Sequence, residues 1–230
     1  MREKMRKDFE ELPSEALMDY YNEDYASAHE KYEWYFENSE KLKPSLRGVR
    51  VSFCLGGWVN VAKEYPPAMK RIIEIKKDAL NNFNDTQSIE AFRDFSCISR
   101  YLETGNEVLK IFYNFNETDK DIAKKLFRHA YEFLVEEEVW NVCAEYMDDF
   151  SKKYDLCFHC FDHTSEKEKE LEKEFAESMY QHRIELLKKG IVPLFKILSV
   201  KSDTALYNQY LEKIKIDIEK RGLNALLAEL

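Results

Sequence analysis

The stretch that decides the fold is VSFCLGGWVNVAKEYPPAMKRIIEIKKDALNNF, residues 51–83. Its apolar residues recur every three or four positions, which is the spacing of a helix with one buried face. The first such stripe comprises Val51, Cys54, Leu55, Trp58, Ala62 and Tyr65, and the second comprises Met69, Ile72, Ile73, Lys76, Ala79, Leu80 and Phe83. Pro66 and Pro67 lie between the stripes and suit a first helical turn, where an N–H has no helical partner. The stretch therefore predicts two antiparallel helices joined by a tight turn.

The same pattern recurs towards the carboxyl end. Residues 89–115 predict a second helical pair, in which Gly105 ends the first helix, and residues 118–147 predict a third. Corresponding helices repeat about every 35 residues, a period typical of stacked helix–turn–helix units. Gly56 and Gly57 stand within a helical pattern, and we expect them to permit close contact with another helix.

Residues 95–112, FSCISRYLETGNEVLKIF, carry a likeness to a known family. Ile98, Tyr101 and Gly105 stand where tetratricopeptide repeats have their small residue, their aromatic residue and their turn glycine. Residues 48–148 thus resemble a degenerate tetratricopeptide-type array, which implies a right-handed stack of antiparallel helical hairpins, a TPR-like α–α superhelix. Two further segments resemble uncharacterised bacterial proteins of this kind: GGWVNVAKEYPPAMKRI, residues 56–72, and LVEEEVWNVCAEYMDD, residues 134–149.

The composition favours an all-α fold in a single domain over residues 1–230. Hydrophobic residues make up 44% of the chain and charged residues 34%, with only 6 glycines and 5 prolines, which is typical of a helix-rich globular protein. The predicted parts are an N-terminal helical pair (1–47), TPR-like hairpins (48–148) and longer C-terminal helices (149–230). Among the C-terminal helices, a long charged one is predicted to begin at Ser165 and to end at Gly190.

The charge of the chain limits its partners. A formal net charge of −9 would repel a phosphate backbone, so we expect no binding to nucleic acid. A basic protein is the partner that fits this charge. Formation of a homodimer is an alternative that the sequence leaves open. GIVPLFKILSV, residues 190–200, is too short to span a bilayer and contains Lys196, so no membrane association is expected. The charged amino-terminal segment and the odd number of cysteines, 5, favour the cytoplasm.

The segment CFHCFDH, residues 157–163, has the residue types of a zinc site. However, Cys157 falls on the apolar stripe of its own predicted helix, where a small hydrophobic residue belongs. In a continuous helix, Cys157 and His163 are separated by about 9 Å of rise, too far to share one ion. We therefore predict no metal and no cofactor, and keep Cys157, Cys160 and His163 as the candidates if a metal is bound.

Two sets of residues are candidates for binding a partner. The first comes from an aromatic cluster near the amino end, which also contains Tyr32 and Phe36, since aromatic residues dominate binding hot spots. The candidates within it are Tyr20, Tyr21, Tyr25, Trp34 and Tyr35. The alternative is that these side chains fill the packing between helices. The second set is the acidic run of Glu136, Glu137 and Glu138.

No catalytic template fits the chain. HEKYE, residues 29–33, begins like a zinc-protease helix but has Glu33 where the second histidine must stand. We therefore predict a non-catalytic protein–protein interaction module. One alternative is an immunity or antitoxin protein that occludes a basic toxin. The other is an enzyme or zinc-binding protein that uses the cysteines and histidine of residues 157–163.

Overall fold

The computed structural model describes residues 9–163, 173–201 and 203–229. Across these residues every regular element is helical and no strand occurs, which confirms the all-α prediction for the described chain. The helices are α1 Leu12–Tyr21, α2 Tyr25–Leu42, α3 Leu55–Glu64, α4 Pro66–Thr86, α5 Ile89–Tyr101, α6 Gly105–Thr118, α7 Lys120–Glu136, α8 Trp140–Tyr146, α9 Phe150–Asp162, α10 Lys173–Val200 and α11 Thr204–Glu219. Within the described ranges, none of these helices has the length and apolar character needed to cross a bilayer.

The chain divides into two compact units, with the boundary in sequence between Phe133 and Leu134. Each unit has its own set of buried apolar side chains. The prediction of a single domain over 1–230, with internal boundaries after residues 47 and 148, stays a prediction.

In the first unit, helices that follow one another in sequence pack against one another. α1 packs on α2, α2 on α3, α3 on α4, α4 on α5 and α5 on α6. The joint between α3 and α4 lies where the prolines predict it, because α4 begins at Pro66. Large buried aromatic side chains fill the space between these helices: Tyr32, Tyr35, Phe36, Trp58, Phe83, Phe92, Phe95 and Phe112. Aromatic side chains, together with buried aliphatic ones, therefore form the core between these helices.

A network of charges joins the start of α3 to α2 and α5. A π-helical turn, Arg50–Cys54, precedes α3, and it places Arg50 in a largely buried position. The guanidinium of Arg50 donates to both carboxylate oxygens of Asp94, at 2.8 and 2.7 Å, and to the backbone oxygen of Phe36. Arg93 donates to Glu40 at 2.8 Å and to Asp94 at 2.9 Å. Since each buried guanidinium has a carboxylate partner, the network fixes the geometry of three elements.

The glycines of α3 have the role predicted for them. A Cβ at Gly57 would overlap the buried ring of Tyr32, and a Cβ at Gly56 would lie 3.2 Å from the ring of Tyr101. Gly105 differs from its prediction, because α5 ends at Tyr101 and Gly105 is the first residue of α6. The ring of Phe133 packs directly on the Gly105 backbone, so close approach, not helix termination, explains the glycine.

In the second unit, α10 packs against α8, α9 and α11. The predicted helix end at Gly190 is wrong, because α10 continues through Gly190 and Pro193 to Val200. A Cβ at Gly190 would lie 2.6 Å from the Cys157 sulfur, so this glycine allows α9 to approach α10. The predicted helix start at Ser165 lies outside the described residues.

Candidate functional site

Three tyrosines form a partly exposed cluster at the turn between α1 and α2, and we call Tyr20, Tyr21 and Tyr25 the tyrosine surface. The ring of Tyr20 lies 5.8 Å from that of Tyr21 and 5.8 Å from that of Tyr25, measured between centroids. Tyr21 is 69% exposed, and the other two are half-buried. Three adjacent rings of this kind offer a partner both apolar area and phenolic hydroxyls.

The turn that carries the tyrosine surface has a defined backbone. Glu23 adopts a left-handed conformation with φ of 62°. Asp24 then caps α2, since its carboxylate accepts a hydrogen bond from the backbone N–H of Ser27 at 3.1 Å. The hydroxyl of Ser27 in turn donates to Asp19 on α1 at 2.6 Å. These bonds hold the two helices, and hence the tyrosine rings, in a fixed arrangement.

Exposed carboxylates lie near Tyr25 of the tyrosine surface. Partial burial raises the pKa of Tyr25, and the negative charges of Glu23 and Glu64 raise it further. Glu64, the last residue of α3, therefore lies near Tyr25 although it is far away in sequence. Glu23, Asp24 and Glu64 are all exposed. Aromatic faces beside carboxylates are suited to hold an arginine or lysine side chain, by cation–π attraction and by ion pairing.

The other two aromatic candidates, Trp34 and Tyr35, differ in burial. Tyr35 is only 1% exposed, so its assignment to the binding face is corrected: it is a core residue on the inner face of α2. Trp34 is half-buried and packs on the same core. Tyr20 and Tyr25 are half-buried against this core as well. Helix packing therefore describes Tyr35 fully and the half-buried residues in part, and Tyr21 is the most exposed residue of the set.

The acidic run of residues 136–138 lies at the end of α7 and in the turn after it. Glu136, Glu137 and Glu138 are all exposed, and Glu138 is left-handed with φ of 54°. They are placed where a partner can reach them, and they remain candidates in the second unit.

The cysteine–histidine segment lies on α9 and at its end. Cys160 and His163 are exposed, whereas Cys157 is half-buried with its sulfur against Gly190. Burial raises the pKa of the Cys157 thiol, and the neighbouring Cys160 raises it further, which disfavours a reactive thiolate. Across the described ranges, no three His, Cys, Asp or Glu side chains are grouped so that they could hold a metal ion.

The histidine of HEKYE is part of the first unit's structure. Trp58 donates its indole N–H to His29 Nδ1 at 2.9 Å, so the proton of the neutral imidazole lies on Nε2. Burial lowers the pKa of His29, the carboxylate of Glu33 at 3.9 Å opposes that shift, and Arg71 reinforces it. Because the lone pair of Nδ1 is already used, His29 cannot accept a proton without losing the Trp58 hydrogen bond. It is a poor candidate for a general base.

Sequence reasoning missed one further site, a groove beside α4 in the first unit. Lys76 lies in it, almost fully buried, with its ammonium on Thr104 and Glu107. The signal was present in the sequence, because Lys76 is the single charged residue in the apolar stripe of 69–83. Its partners are 28 and 31 residues further along the chain and could not be identified from that stripe.

Comparisons with known proteins give no match for this chain among protein-family models, curated proteins or solved structures. The assignment of function therefore depends on the geometry and charge of these surfaces.

Proposed function

We propose that this chain is a non-catalytic protein-binding module that holds a basic partner through the tyrosine surface. The observation that supports this function best is the cluster of Tyr20, Tyr21 and Tyr25 beside exposed carboxylates. Tyrosine is among the residues most enriched in binding hot spots, and Tyr21 in this cluster leaves 69% of a large aromatic residue exposed.

The charges around the cluster indicate the chemistry of the partner. An arginine or lysine of the partner would lie over a tyrosine ring and pair with Glu23 or Glu64. The net charge of −9 would speed the encounter with a positively charged protein, and salt would weaken this effect. A basic protein is thus favoured over an acidic one.

The scaffold we propose for this surface is a TPR-like stack of helical hairpins. Its support is the packing of each helix from α1 to α6 on the next, together with the repeat of helical pairs in the sequence. Such a stack keeps a surface rigid, which lowers the entropy lost on binding.

The test is capture of partners by the full-length tagged protein from lysate of its own host, at low and at high salt. We expect one stoichiometric basic protein that is retained at low salt and released at high salt. Tyr21→Ser should lose it. The matched control is Phe53→Ser, which removes another exposed aromatic residue, 51% exposed, from the same unit.

Three outcomes are informative. Loss of the partner with Tyr21→Ser and not with Phe53→Ser supports the proposal, and a toxic enzyme as that partner would make the chain an immunity protein. Equal retention by both variants would contradict the role of the tyrosine surface. An acidic partner, or binding that does not respond to salt, would contradict the electrostatic argument.

A further inference from the structure

The groove beside α4 has the size of a small-molecule site. It lies within the first unit, between α3, α4 and the turn that joins α5 to α6, and its volume is about 480 Å³. This lies within the range of about 300–1,000 Å³ that is usual for ligand pockets. The apolar part of its wall is formed by Val59, Met69, Ile73, Tyr101 and Leu102.

The wall includes a large apolar side chain that the fold leaves uncovered. Ile73 belongs to the apolar stripe of α4, yet 51% of it is exposed at the groove. Met69, one turn earlier on α4, is half-buried beside it. A ligand with an apolar body would cover these side chains and gain the free energy of removing them from water.

A buried cation lies among these apolar walls. Lys76 is 8% exposed, and its ammonium donates to the Thr104 hydroxyl at 2.6 Å and to a Glu107 carboxylate oxygen at 2.9 Å. It also lies 5.4 Å from the centre of the Phe95 ring. An ammonium has three N–H donors, and the described chain supplies oxygen acceptors for two of them. The third is available to an acceptor on a ligand.

The charges that line the groove are balanced. Lys63 and Lys76 are the cations, and Glu103 and Glu107 are the anions. A ligand that carries only one sign of charge would be attracted by one pair and repelled by the other. A ligand with separated positive and negative groups satisfies both pairs.

We propose that this groove binds a zwitterionic molecule with an apolar body, of the class of the apolar α-amino acids. The ligand carboxylate receives hydrogen bonds from Lys76, with Lys63 at the rim as a second cation. The ligand ammonium pairs with Glu103 and Glu107, which are both exposed. The apolar side chain covers Ile73 and Met69. This site is separate from the tyrosine surface and does not depend on the proposed function.

Isothermal titration calorimetry of the full-length protein with L-leucine tests this proposal. Two probes of matched shape dissect the charges: 4-methylpentanoate lacks the ammonium group, and 3-methylbutylamine lacks the carboxylate. We expect saturable binding of leucine and binding of each probe that is about tenfold weaker or more, since each loses one charge-assisted contact.

Lys76→Met is the variant that isolates the buried cation. Methionine keeps most of the aliphatic length, and the half-exposed Glu107 can turn to solvent, so the variant should fold. The control is Lys77→Met, which removes an exposed lysine from the next position of α4. Thermal unfolding followed by circular dichroism checks that both variants are folded.

Binding of leucine that is lost in Lys76→Met and kept in Lys77→Met supports the proposal. Absence of saturable binding by the unmodified protein up to the solubility of leucine would overturn it. Equal affinity for leucine and for both single-charge probes would also overturn it, because the groove would then be a non-specific apolar surface. If Lys76→Met does not fold, Glu103→Gln tests the contact with the ligand ammonium at an exposed position that takes no part in holding Lys76. Its affinity for leucine should fall about tenfold, and an unchanged affinity would overturn the proposal.

Discussion

The end of α1 and the helix α2 place two groups of aromatic side chains in different environments. Tyr21, the last residue of α1, is 69% exposed, and Tyr25, the first residue of α2, is half-buried. Tyr32 and Tyr35, about two turns further along α2, are 1% exposed. The chemistry of the side chains is the same, so the difference comes from the neighbouring helices. Both α1 and α3 pack on α2, and Tyr32 and Tyr35 lie inside the core that these helices share. An aromatic-rich segment can therefore supply a core and a contact surface at once.

Truncation of a buried tyrosine should give the largest loss in the free energy of unfolding. We expect Tyr35→Ala to lower the free energy of unfolding by about 3–5 kcal/mol, because it leaves a large cavity among packed aromatic rings. Tyr21→Ala should change it by less than about 0.5 kcal/mol, as is usual for an exposed site. Urea unfolding measures both values. Similar losses for the two variants would mean that the tyrosine surface is part of the core.

Gly57→Ala should give the next largest effect, because it forces a methyl group against the buried ring of Tyr32. We expect a loss of about 1–3 kcal/mol, as is typical of an overpacked core. Gly48→Ala is the matched control, since a Cβ at Gly48 meets nothing within 4 Å. There alanine should stabilise by about 0.5–1 kcal/mol through its better helix propensity. Thermal unfolding compares the pair, and an unchanged midpoint for Gly57→Ala would show that Tyr32 can move.

Acidification should lower the free energy of unfolding by a smaller amount, through His29, which lies between Tyr25 and Tyr32 in the sequence. Its pKa in the folded state lies below the ordinary value of 6.5, so the folded protein resists protonation more than the unfolded chain does. The resulting stability is present above pH 6.5 and is lost as the pH falls from 6.5 through the folded pKa. His29→Gln can still accept the Trp58 hydrogen bond and should be less sensitive to acid over that interval.

His129 provides the internal reference for this measurement. Burial and two nearby arginines lower the pKa of His129 to about 4. The unmodified protein and His29→Gln should therefore both lose stability through His129 as the pH falls from 6.5 to about 4. Unfolding free energies measured at a series of pH values separate the two histidines. If His29→Gln and the unmodified protein lose stability in parallel below pH 6.5, the assignment to His29 is wrong.

Much of the fold follows from periodicity in the sequence. The hairpin of 51–83 is predicted with its joint at Pro66, because an apolar stripe and a proline pair are local signals. Burial of Tyr35 also had a local signal, since Ala28, Tyr32, Tyr35 and Ser39 follow the helical spacing of one buried face. Exposure of Tyr21 agrees with its position at the last residue of α1.

The remaining features depend on partners that are distant in sequence. Gly105 and Gly190 were predicted as helix ends, but their role is set by Phe133 and Cys157 on other helices. The burial of Lys76 likewise requires the oxygens of Thr104 and Glu107. No single segment contains these contacts, so they appear only when the helices are placed together.

Hydrogen–deuterium exchange of the full-length protein, free and bound to its captured partner, tests the central claim most directly. If the tyrosine surface is the contact, amides of residues 20–27 should exchange more slowly in the complex, with smaller changes at the end of α3 near Glu64. Protection confined to residues 134–149, around the acidic run, would contradict the account and place the contact in the second unit.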